Sequence, residues 1–401
     1  MKRYIIFTIL IATLSIMTGC EYDVAEPLWE QDYSNPPAPV ITSVEPADVA
    51  PAGINTITIY GENFAESAED NLVYFNNVKA DIISAGSTEI TVYRPNLVAD
   101  SAEIKVVSND ALVVTKMGPY KLNPVMERFG SFVDNNELAA IVVDTDENVY
   151  AIQFSPLIVY KVTPEGDKTI LNDMGGIPYG AVMGPGDNIV IFQNKKQIFQ
   201  MNTATGDSSV FAEVDKNVRF GDFDEYGNLY TAGQRSDLFV VTSGNTTGDP
   251  IDVYSRDTIF WIRIFNGYVY LLVDIRSPDA DNPELAIWRH EILDATGSLG
   301  NRELVLNWTE TEPYLEMEAE PASFTFSADG SLYVGSDYTS PVLMVSADGS
   351  QSPLYKDILP SAASDLVWGN MNYMYMILDS DSEYNLIRID MGAEGAPYYG
   401  R

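Results

Sequence analysis

Tyr226-Gly227-Asn228-Leu229-Tyr230 is one of six similar stretches along this chain of 401 residues. Each stretch places turn-forming Asp, Asn or Gly residues before an apolar or aromatic pair, which is typical of a β-hairpin leading into a strand. The stretches end at Tyr150, Val190, Tyr230, Tyr270, Tyr333 and Tyr375, so successive residue numbers differ by 40, 40, 40, 63 and 42. A period of about 40 residues predicts the four-stranded blades of a β-propeller.

The repeats predict six blades between residues 123 and 401. The last repeat stops soon after its third strand, expected at Asn385–Asp390, and Val125–Val133 could supply the missing outer strand and close the ring. An open stack of strands or a second sandwich is the alternative. The Asp-x-x-Gly-x-Leu-Tyr pattern resembles NHL-type propellers and the wider group of gluconolactonase-like, regucalcin-like and streptogramin-lyase-like proteins. The resemblance implies a shape and leaves the activity open, because one fold serves many functions.

Residues 39–122 have short alternating strands separated by Gly, Pro, Asn and Asp, the pattern of a β-sandwich. The run Ile57–Phe64 (Ile-Thr-Ile-Tyr-Gly-Glu-Asn-Phe) follows Pro39-x-Ile41-x-Ser43-Val44-x-Pro46, and together they resemble the IPT/TIG family of immunoglobulin-like domains. We expect Gly61 to form a turn and Phe64 to plug the end of the sandwich. The resemblance implies a spacer or docking module without catalytic residues. The sequence therefore predicts an all-β protein, an immunoglobulin-like β-sandwich followed by a six-bladed β-propeller.

The N-terminus predicts export and lipidation. Residues 1–19 have the layout of a signal peptide, with Lys2 and Arg3 before an apolar stretch, Tyr4–Met17, that is too short to span a bilayer as a helix. The stretch Met-Thr-Gly-Cys ending at Cys20 resembles the lipobox of bacterial lipoproteins, which implies acylation of Cys20 and a membrane as partner. An ordinary secretory signal with a chance Cys is the alternative.

Residues 20–38 predict a lipid-anchored tether, because prolines recur along them and extend the chain. Glu21 and Asp23 resemble the surface-export signal of some Gram-negative lipoproteins. We therefore expect an outer-membrane lipoprotein exposed on the cell surface.

The composition excludes several functions. The chain has 23 Lys+Arg against 58 Asp+Glu, a net charge of −35, which argues against a nucleic acid partner. One Cys and one His exclude an intrachain disulfide, a cysteine-rich zinc site and a multi-histidine metal centre. Hydrophobic residues make up 46% of the chain, ample for a core.

No residue is predicted to be catalytic or to bind a metal, and no cofactor is expected. Three acidic clusters resemble calcium loops, but none has both the glycine and the closing glutamate of such a loop, so we expect ordinary turns. The clusters are Asp144-Asp146-Asn148, Asp279-Asp281-Asn282 and Asp379-Asp381-Glu383. His290 is expected on the third strand of blade four, away from the channel and thus a poor general base.

Arg and aromatic residues accumulate in the loops predicted for one face of blades two to five. These loops join the second strand to the third, or lead into the innermost strand. Aromatic rings can stack on sugars, and Arg can pair with carboxylates or sulfates. Alternatively, the Arg residues neutralise surplus Asp and the rings pack between blades. The predicted ligand-binding residues are Tyr179, Arg219, Phe220, Arg235, Trp261, Arg263, Arg276 and Tyr338.

The long fourth interval holds an insertion, expected over 276–283 and 294–321. Trp308 and Tyr314 inside it could reach a partner or hold the insertion in place.

Two classes of function remain. One is a non-enzymatic surface lipoprotein that captures a polysaccharide or oligosaccharide or docks with an outer-membrane transporter complex; the layout resembles surface glycan-binding lipoproteins of polysaccharide-utilisation systems. The other is a propeller hydrolase or lyase of the gluconolactonase or streptogramin-lyase kind. We expect an enzyme to present several carboxylates at the channel mouth and a binding protein to present exposed rings. A pure protein scaffold is not separable from sugar binding by sequence.

Overall fold

The computed structural model describes residues 37–109, 111, 113–133, 136–279, 281–312, 314, 318–378 and 386–399. The predicted signal peptide, Cys20 and nearly all of the tether lie outside the described residues, as does the cluster Asp379-Asp381-Glu383. No helix among the described residues has the length or apolar character to cross a membrane. The described residues form two all-β units.

The first unit is a β-sandwich of two sheets, with strand orders β1-β3-β7-β6 and β2-β9-β8-β4-β5. Its strands are β1 (Val40–Glu45), β2 (Val49–Ala50), β3 (Thr56–Glu62), β4 (Asn71–Phe75), β5 (Val78–Ala80), β6 (Ile82–Gly86), β7 (Glu89–Tyr93), β8 (Ala99–Ser108) and β9 (Thr115–Leu122). A short 3-10 helix, Ala68–Asp70, precedes β4. Along β3, Ile57 and Ile59 are buried while Thr56 and Glu62 are exposed, so alternation puts one face in the core.

Gly61 lies inside β3 and not in a turn, which corrects the sequence-based expectation. It pairs with Ile41, and a Cβ at this position would collide with the carbonyl oxygen of Val40 and the ring of Phe64. Phe64 is buried, as expected. Glycine is needed here for close packing of backbone and ring, because its backbone is ordinary β-strand.

The second unit is a six-bladed propeller of four-stranded antiparallel sheets. Blade one is β11 (Leu138–Val143), β12 (Val149–Gln153), β13 (Leu157–Val162) and β14 (Lys168–Met174); blade two is β15 (Gly180–Gly184), β16 (Asn188–Phe192), β17 (Lys195–Asn202) and β18 (Ser208–Val218). Blade three is β19 (Phe220–Phe223), β20 (Leu229–Ala232), β21 (Leu238–Val241) and β22 (Asp249–Ile251); blade four is β23 (Thr258–Phe265), β24 (Tyr268–Asp274), β25 (Leu285–Ile292) and β26 (Leu299–Asn307). Blade five is β27 (Pro321–Phe326), β28 (Leu332–Ser336), β29 (Val342–Val345) and β30 (Gln351–Pro353); blade six contains β31 (Ala363–Trp368), β32 (Tyr373–Leu378) and β33 (Leu386–Asp390). A second 3-10 helix, Trp308–Glu310, follows β26.

A strand from the start of the unit completes blade six. β10 (Met126–Arg128) pairs antiparallel with β33, with Met126 opposite Ile389. This confirms that the segment Val125–Val133 supplies the outer strand. The pairing joins the two ends of the propeller and covers an edge that would otherwise be open.

The repeated Asp explains the repeated hairpin. Asp224 follows the first strand of blade three, and its Oδ1 accepts hydrogen bonds from the backbone N–H groups of Tyr226 (3.0 Å) and Asn228 (2.8 Å). Asp144 holds the same kind of turn in blade one through Asp146 and Asn148. These carboxylates are occupied in shaping the backbone, as expected of turn residues.

The sandwich rests against blades five and six. Asn55 of the sandwich donates from its side-chain nitrogen to the carbonyl of Pro353 (2.9 Å) and accepts the backbone N–H of Tyr355 (2.7 Å). The Tyr355 hydroxyl also accepts the backbone N–H of Gly53 (2.6 Å) and donates to the carbonyl of Asp390 (2.8 Å). The two units are thus joined by direct polar contacts as well as by the chain.

Candidate functional site

A small pocket lies in the propeller channel. Its volume is about 20 Å³, enough for roughly one water molecule. Tyr398 and Tyr399, close to the C-terminus, line it together with Asp222 and Arg263. The Tyr398 hydroxyl accepts the backbone N–H of Phe326 (2.8 Å), which fixes the tail against blade five. A sugar does not fit in this space.

Arg263 belongs to the channel and not to an exposed loop, which corrects the sequence-based placement. It lies within β23 with 6% of its surface exposed. Its guanidinium lies 5.1 Å from the ring centroid of Trp261 and 5.7 Å from that of Tyr398. Its charge also lowers the pKa of Asp365 on β31, although burial of that carboxyl is the larger effect and raises its pKa to about 7.

A cleft with two adjoining compartments opens on one face of blades three to five; we call it the blade-four cleft. The inner compartment has a volume of about 440 Å³ and the outer one of about 310 Å³. Phe260, Asp274 and Glu284 line both compartments. The inner one also has Phe220, Glu320 and Pro321, and the outer one has Gln234, Arg235, Arg256 and Arg276.

The topology explains why these residues meet. In an antiparallel blade, the loop from the second strand to the third lies on the same side as the segment leading into the first. Arg235 follows β20 and Arg276 follows β24, whereas Arg256 precedes β23 and Glu320 precedes β27. The cleft therefore lies on the face predicted for ligand binding.

The cleft mixes rings with charges of both signs. The rings of Phe220 and Phe260 are half-buried, and the Arg235 and Arg276 side chains are exposed. Burial raises the pKa of Asp274, and the negative charges of Glu284 and Asp257 raise it further, while Arg235 opposes the rise. Glu284 therefore lies close enough to Asp274 to affect the pKa of that carboxyl.

Tyr179 and Arg219 form a pair next to the cleft. The Arg219 guanidinium lies 4.5 Å from the Tyr179 ring centroid. Its Nε donates to Asn194 (3.1 Å) and its Nη2 to Gln234 (3.3 Å), which itself lines the outer compartment. The pair borders the cleft through Gln234 and does not line it.

Two predicted rings play packing roles. Trp261 is 5% exposed, its indole N–H donates to the carbonyl of Phe324 (3.2 Å), and it supports the Phe220 ring at 5.2 Å between centroids. Tyr338 is half-buried, with its ring centroid 5.0 Å from that of Tyr314.

Of the eight predicted residues, Phe220, Arg235 and Arg276 line the cleft directly.

The insertion after blade four is held in place by its own aromatic residues. Trp308 and Tyr314 are buried, with ring centroids 4.9 Å apart. The Trp308 indole donates to the carbonyl of Ala319 (2.8 Å), and the Tyr314 hydroxyl to that of Ser340 (3.1 Å). These two rings anchor the segment that carries Glu320 to the cleft.

His290 lies on β25, the third strand of blade four, outside the cleft. It is 2% exposed, and its Nδ1 lies 2.9 Å from the carbonyl of Gly300 and therefore donates to it. Its Nε2 accepts from the Tyr254 hydroxyl at 2.9 Å, and burial lowers its pKa. Both nitrogens are thus used inside the fold. In the described part of the chain, no three His, Cys, Asp or Glu side chains are grouped as a metal site.

Sequence reasoning missed Phe260, Arg256 and the carboxylates Glu284 and Glu320 as lining residues of one cleft. Phe260 lies at a register shift between Ile259 and Trp261, so regular strand alternation could not predict the face that it occupies. The signal for the carboxylates is their position at strand ends on the predicted binding face.

Comparisons with known proteins support the two-unit architecture. Residues 39–122 match the IPT/TIG domain family model. A comparison with curated proteins found no match. A solved structure from Bacteroides thetaiotaomicron, described as an auxiliary nutrient binding protein, has 11% identity and a TM-score of 0.54, and the match covers 89% of this chain and 99% of that one.

Two further solved structures are similar. An auxiliary nutrient binding protein from Bacteroides ovatus has 12% identity and a TM-score of 0.51, with 89% of this chain and 99% of that one covered. A luciferin-regenerating enzyme has 14% identity and a TM-score of 0.51, with 69% and 98% covered. At these identities the similarity establishes the fold: an IPT/TIG immunoglobulin-like domain at residues 39–122, followed by a six-bladed β-propeller.

Proposed function

We propose that this protein is a lipid-anchored surface protein that binds a glycan in the blade-four cleft without transforming it. The observation that carries the proposal is a pair of adjoining compartments, lined by Phe220 and Phe260 together with carboxylates and arginines. A combined space of several hundred Å³ suits a small oligosaccharide.

The chemistry of the cleft fits a sugar. A half-buried ring such as Phe260 offers an apolar face for the C–H groups of a pyranose. Asp274 and Glu284 accept hydrogen bonds from sugar hydroxyls, and charged acceptors make the stronger bonds. The buried Trp261 supports the Phe220 ring, so little side-chain entropy is lost when a ligand packs on it.

The setting also supports capture of a nutrient. Both similar Bacteroides structures are described as auxiliary nutrient binding proteins, and their matches span the sandwich as well as the propeller. Under the proposal, acylated Cys20 anchors the chain in the outer membrane, the tether extends it, and the protein passes its ligand to an outer-membrane transporter complex.

A hydrolase or lyase is the second candidate, and one observation favours it. Asp274, Glu284 and Glu320 converge at the cleft, near the start of the innermost strands of blades four and five. Paired carboxylates, one with a raised pKa, can serve as general acid and base. We expected carboxylates to indicate an enzyme and exposed rings to indicate a binding protein. Since rings and carboxylates occupy the same cleft, this criterion does not distinguish the two.

Binding and turnover can be separated with one set of variants. Affinity electrophoresis and a glycan array identify a ligand for the full chain, and product analysis of that ligand tests for cleavage. We expect Phe260→Ala to weaken binding roughly tenfold. The matched control is Tyr226→Ala, which removes an exposed ring from the hairpin face opposite the cleft.

Asp274→Asn and Glu284→Gln distinguish the two candidates. A binding protein releases no product and loses only affinity in these variants. If the wild type cleaves the ligand and both variants stop cleavage while still binding it, the enzyme is the correct assignment. If no glycan binds and a transporter component co-purifies, the protein is a scaffold and the proposal fails.

A further inference from the structure

Three arginines line the outer compartment of the blade-four cleft. Among the residues that the structure describes, Arg235, Arg256 and Arg276 form no salt bridge. They form none although the chain has 58 acidic and 23 basic residues. Other cations of this protein do pair, such as Arg289 with Glu303 at 2.8 Å.

Backbone contacts and neighbouring residues position the arginines. Their guanidinium groups are therefore available to a ligand. The backbone N–H of Arg276 donates to Asp257 (3.1 Å), which ties the loop after β24 to the segment before β23. Gln234 is held by Arg219, and Arg235 follows it with a left-handed backbone (φ 52°), a conformation that costs free energy for a residue other than glycine. All three arginines line the same 310 Å³ compartment.

We propose that the blade-four cleft selects anionic glycans, with the acidic group of the sugar bound by Arg235, Arg256 and Arg276. This inference rests on the proposed function. The sugar ring lies against Phe260, and hydroxyls of the next residue reach Asp274 and Glu284; all three residues line both compartments. Planar guanidinium groups match carboxylate and sulfate oxygens in geometry as well as in charge.

The net charge of −35 does not prevent this selection. At physiological ionic strength, charges are screened over about 8 Å, so carboxylates on distant blades repel a bound anion weakly. Asp274 and Glu284 line the same compartment, where screening is small, but the three arginines outnumber them there. Affinity for an anionic glycan should therefore fall as salt rises, although the protein as a whole is acidic.

Matched polysaccharides test the charge requirement. The full chain, purified in detergent, is titrated with polygalacturonate and with its methyl-esterified form, which has the same backbone without the charge. Carrageenan and agarose form the second pair and distinguish a sulfate from a carboxylate. We expect at least one anionic polymer to bind at least about tenfold more tightly than its neutral counterpart.

The double variant Arg256→Gln/Arg276→Gln should lose most of that preference, whereas the control Arg289→Gln, which removes a paired charge from another surface, should keep it. Equal binding of charged and neutral polymers overturns this inference and leaves glycan binding intact. An anionic preference that survives the double variant also overturns it, because the arginines would then not be responsible. Failure of every polymer to bind rejects the proposed function together with the inference.

Discussion

The hydroxyl of Tyr355 joins the two units of this protein, because it accepts the backbone N–H of Gly53 in the sandwich at 2.6 Å. The same hydroxyl donates to the carbonyl of Asp390 at the end of β33. Tyr355 is 1% exposed, and burial raises its pKa to about 12, so the hydroxyl keeps its proton at neutral pH. The IPT/TIG domain therefore contacts the propeller directly through Tyr355.

Tyr355→Phe should loosen this junction. The variant leaves the Gly53 N–H without its acceptor, and we expect a loss of about 1–2 kcal/mol from the free energy of unfolding. Small-angle scattering and limited proteolysis near residue 123 report the junction directly. Tyr74→Phe, on the outside of the sandwich, is the control; unchanged scattering and proteolysis in Tyr355→Phe would show that the other contacts suffice.

A buried carboxyl links blade six to blade one. Asp365 on β31 accepts the backbone N–H of Ile141 on β11 at 3.0 Å, and Asp222 on β19 accepts that of Ile264 on β23 at 2.8 Å. Inner-strand carboxylates thus connect adjacent blades at two places in the ring. For Asp365, burial is the dominant influence and raises the pKa to about 7, against the opposing charge of Arg263.

This pKa predicts a pH-dependent stability. The folded state holds the proton up to about pH 7, whereas an unfolded Asp releases it at about pH 3.9. Folding therefore takes up a proton between these values, and the contribution of Asp365 is full below pH 4 and is lost as the pH rises to 7. The contribution of Asp365 to the free energy of unfolding should therefore fall by about 4 kcal/mol between pH 4 and pH 7. Chemical denaturation at pH 4.5 to 8 measures it.

Asp365→Asn keeps an acceptor for Ile141 and removes the titration, so it should flatten this part of the profile and stabilise the protein most at pH 8. Asp100→Asn removes a negative charge from a side chain that is 95% exposed and should follow the wild type. A parallel shift of the Asp365→Asn curve, with the wild-type slope retained, would contradict the assignment.

Tyr398→Phe should destabilise the propeller by about 1–3 kcal/mol. The Tyr398 hydroxyl accepts the backbone N–H of Phe326 and lies 2.9 Å from the Thr325 hydroxyl, and the residue is 7% exposed. Its removal leaves a buried N–H unsatisfied, which costs more than the loss of an exposed hydrogen bond. Thermal unfolding measures the effect, and Tyr226→Phe, at an exposed hairpin, should leave the melting temperature unchanged.

The sequence was sufficient for the fold because the blades repeat. Tyr150, Tyr230 and Tyr375 occupy the second strands of their blades, and each is fully buried. Because the blades are repeats, the same requirement for a buried residue recurs at the equivalent position of several blades. The pairing of β10 with β33 was predictable in the same way, because the last repeat has three strands and needs a fourth from elsewhere in the chain.

The cleft was less predictable because it depends on strand register. The pairing of β23 with β24 shifts between Ile259 and Trp261, so Phe260 is the extra residue of a β-bulge. A bulge changes which face the following side chains occupy. Trp261 accordingly points into the core, and Phe260 takes the position at the cleft that the sequence analysis gave to Trp261. A bulge of this kind has no reliable signature in a single sequence.

Replacing Cys20 tests the anchor that the sequence predicts. If Cys20 carries acyl chains, Cys20→Ser should leave a protein that no longer fractionates with membranes, because one residue with several chains supplies the stable attachment. Fractionation of cells and mass spectrometry of the mature N-terminus give the answer. Cys20→Ala should behave in the same way, which separates lipidation from any role of a hydroxyl at this position. Membrane association that persists in both variants, with residues 1–19 removed, would place the attachment elsewhere in the chain.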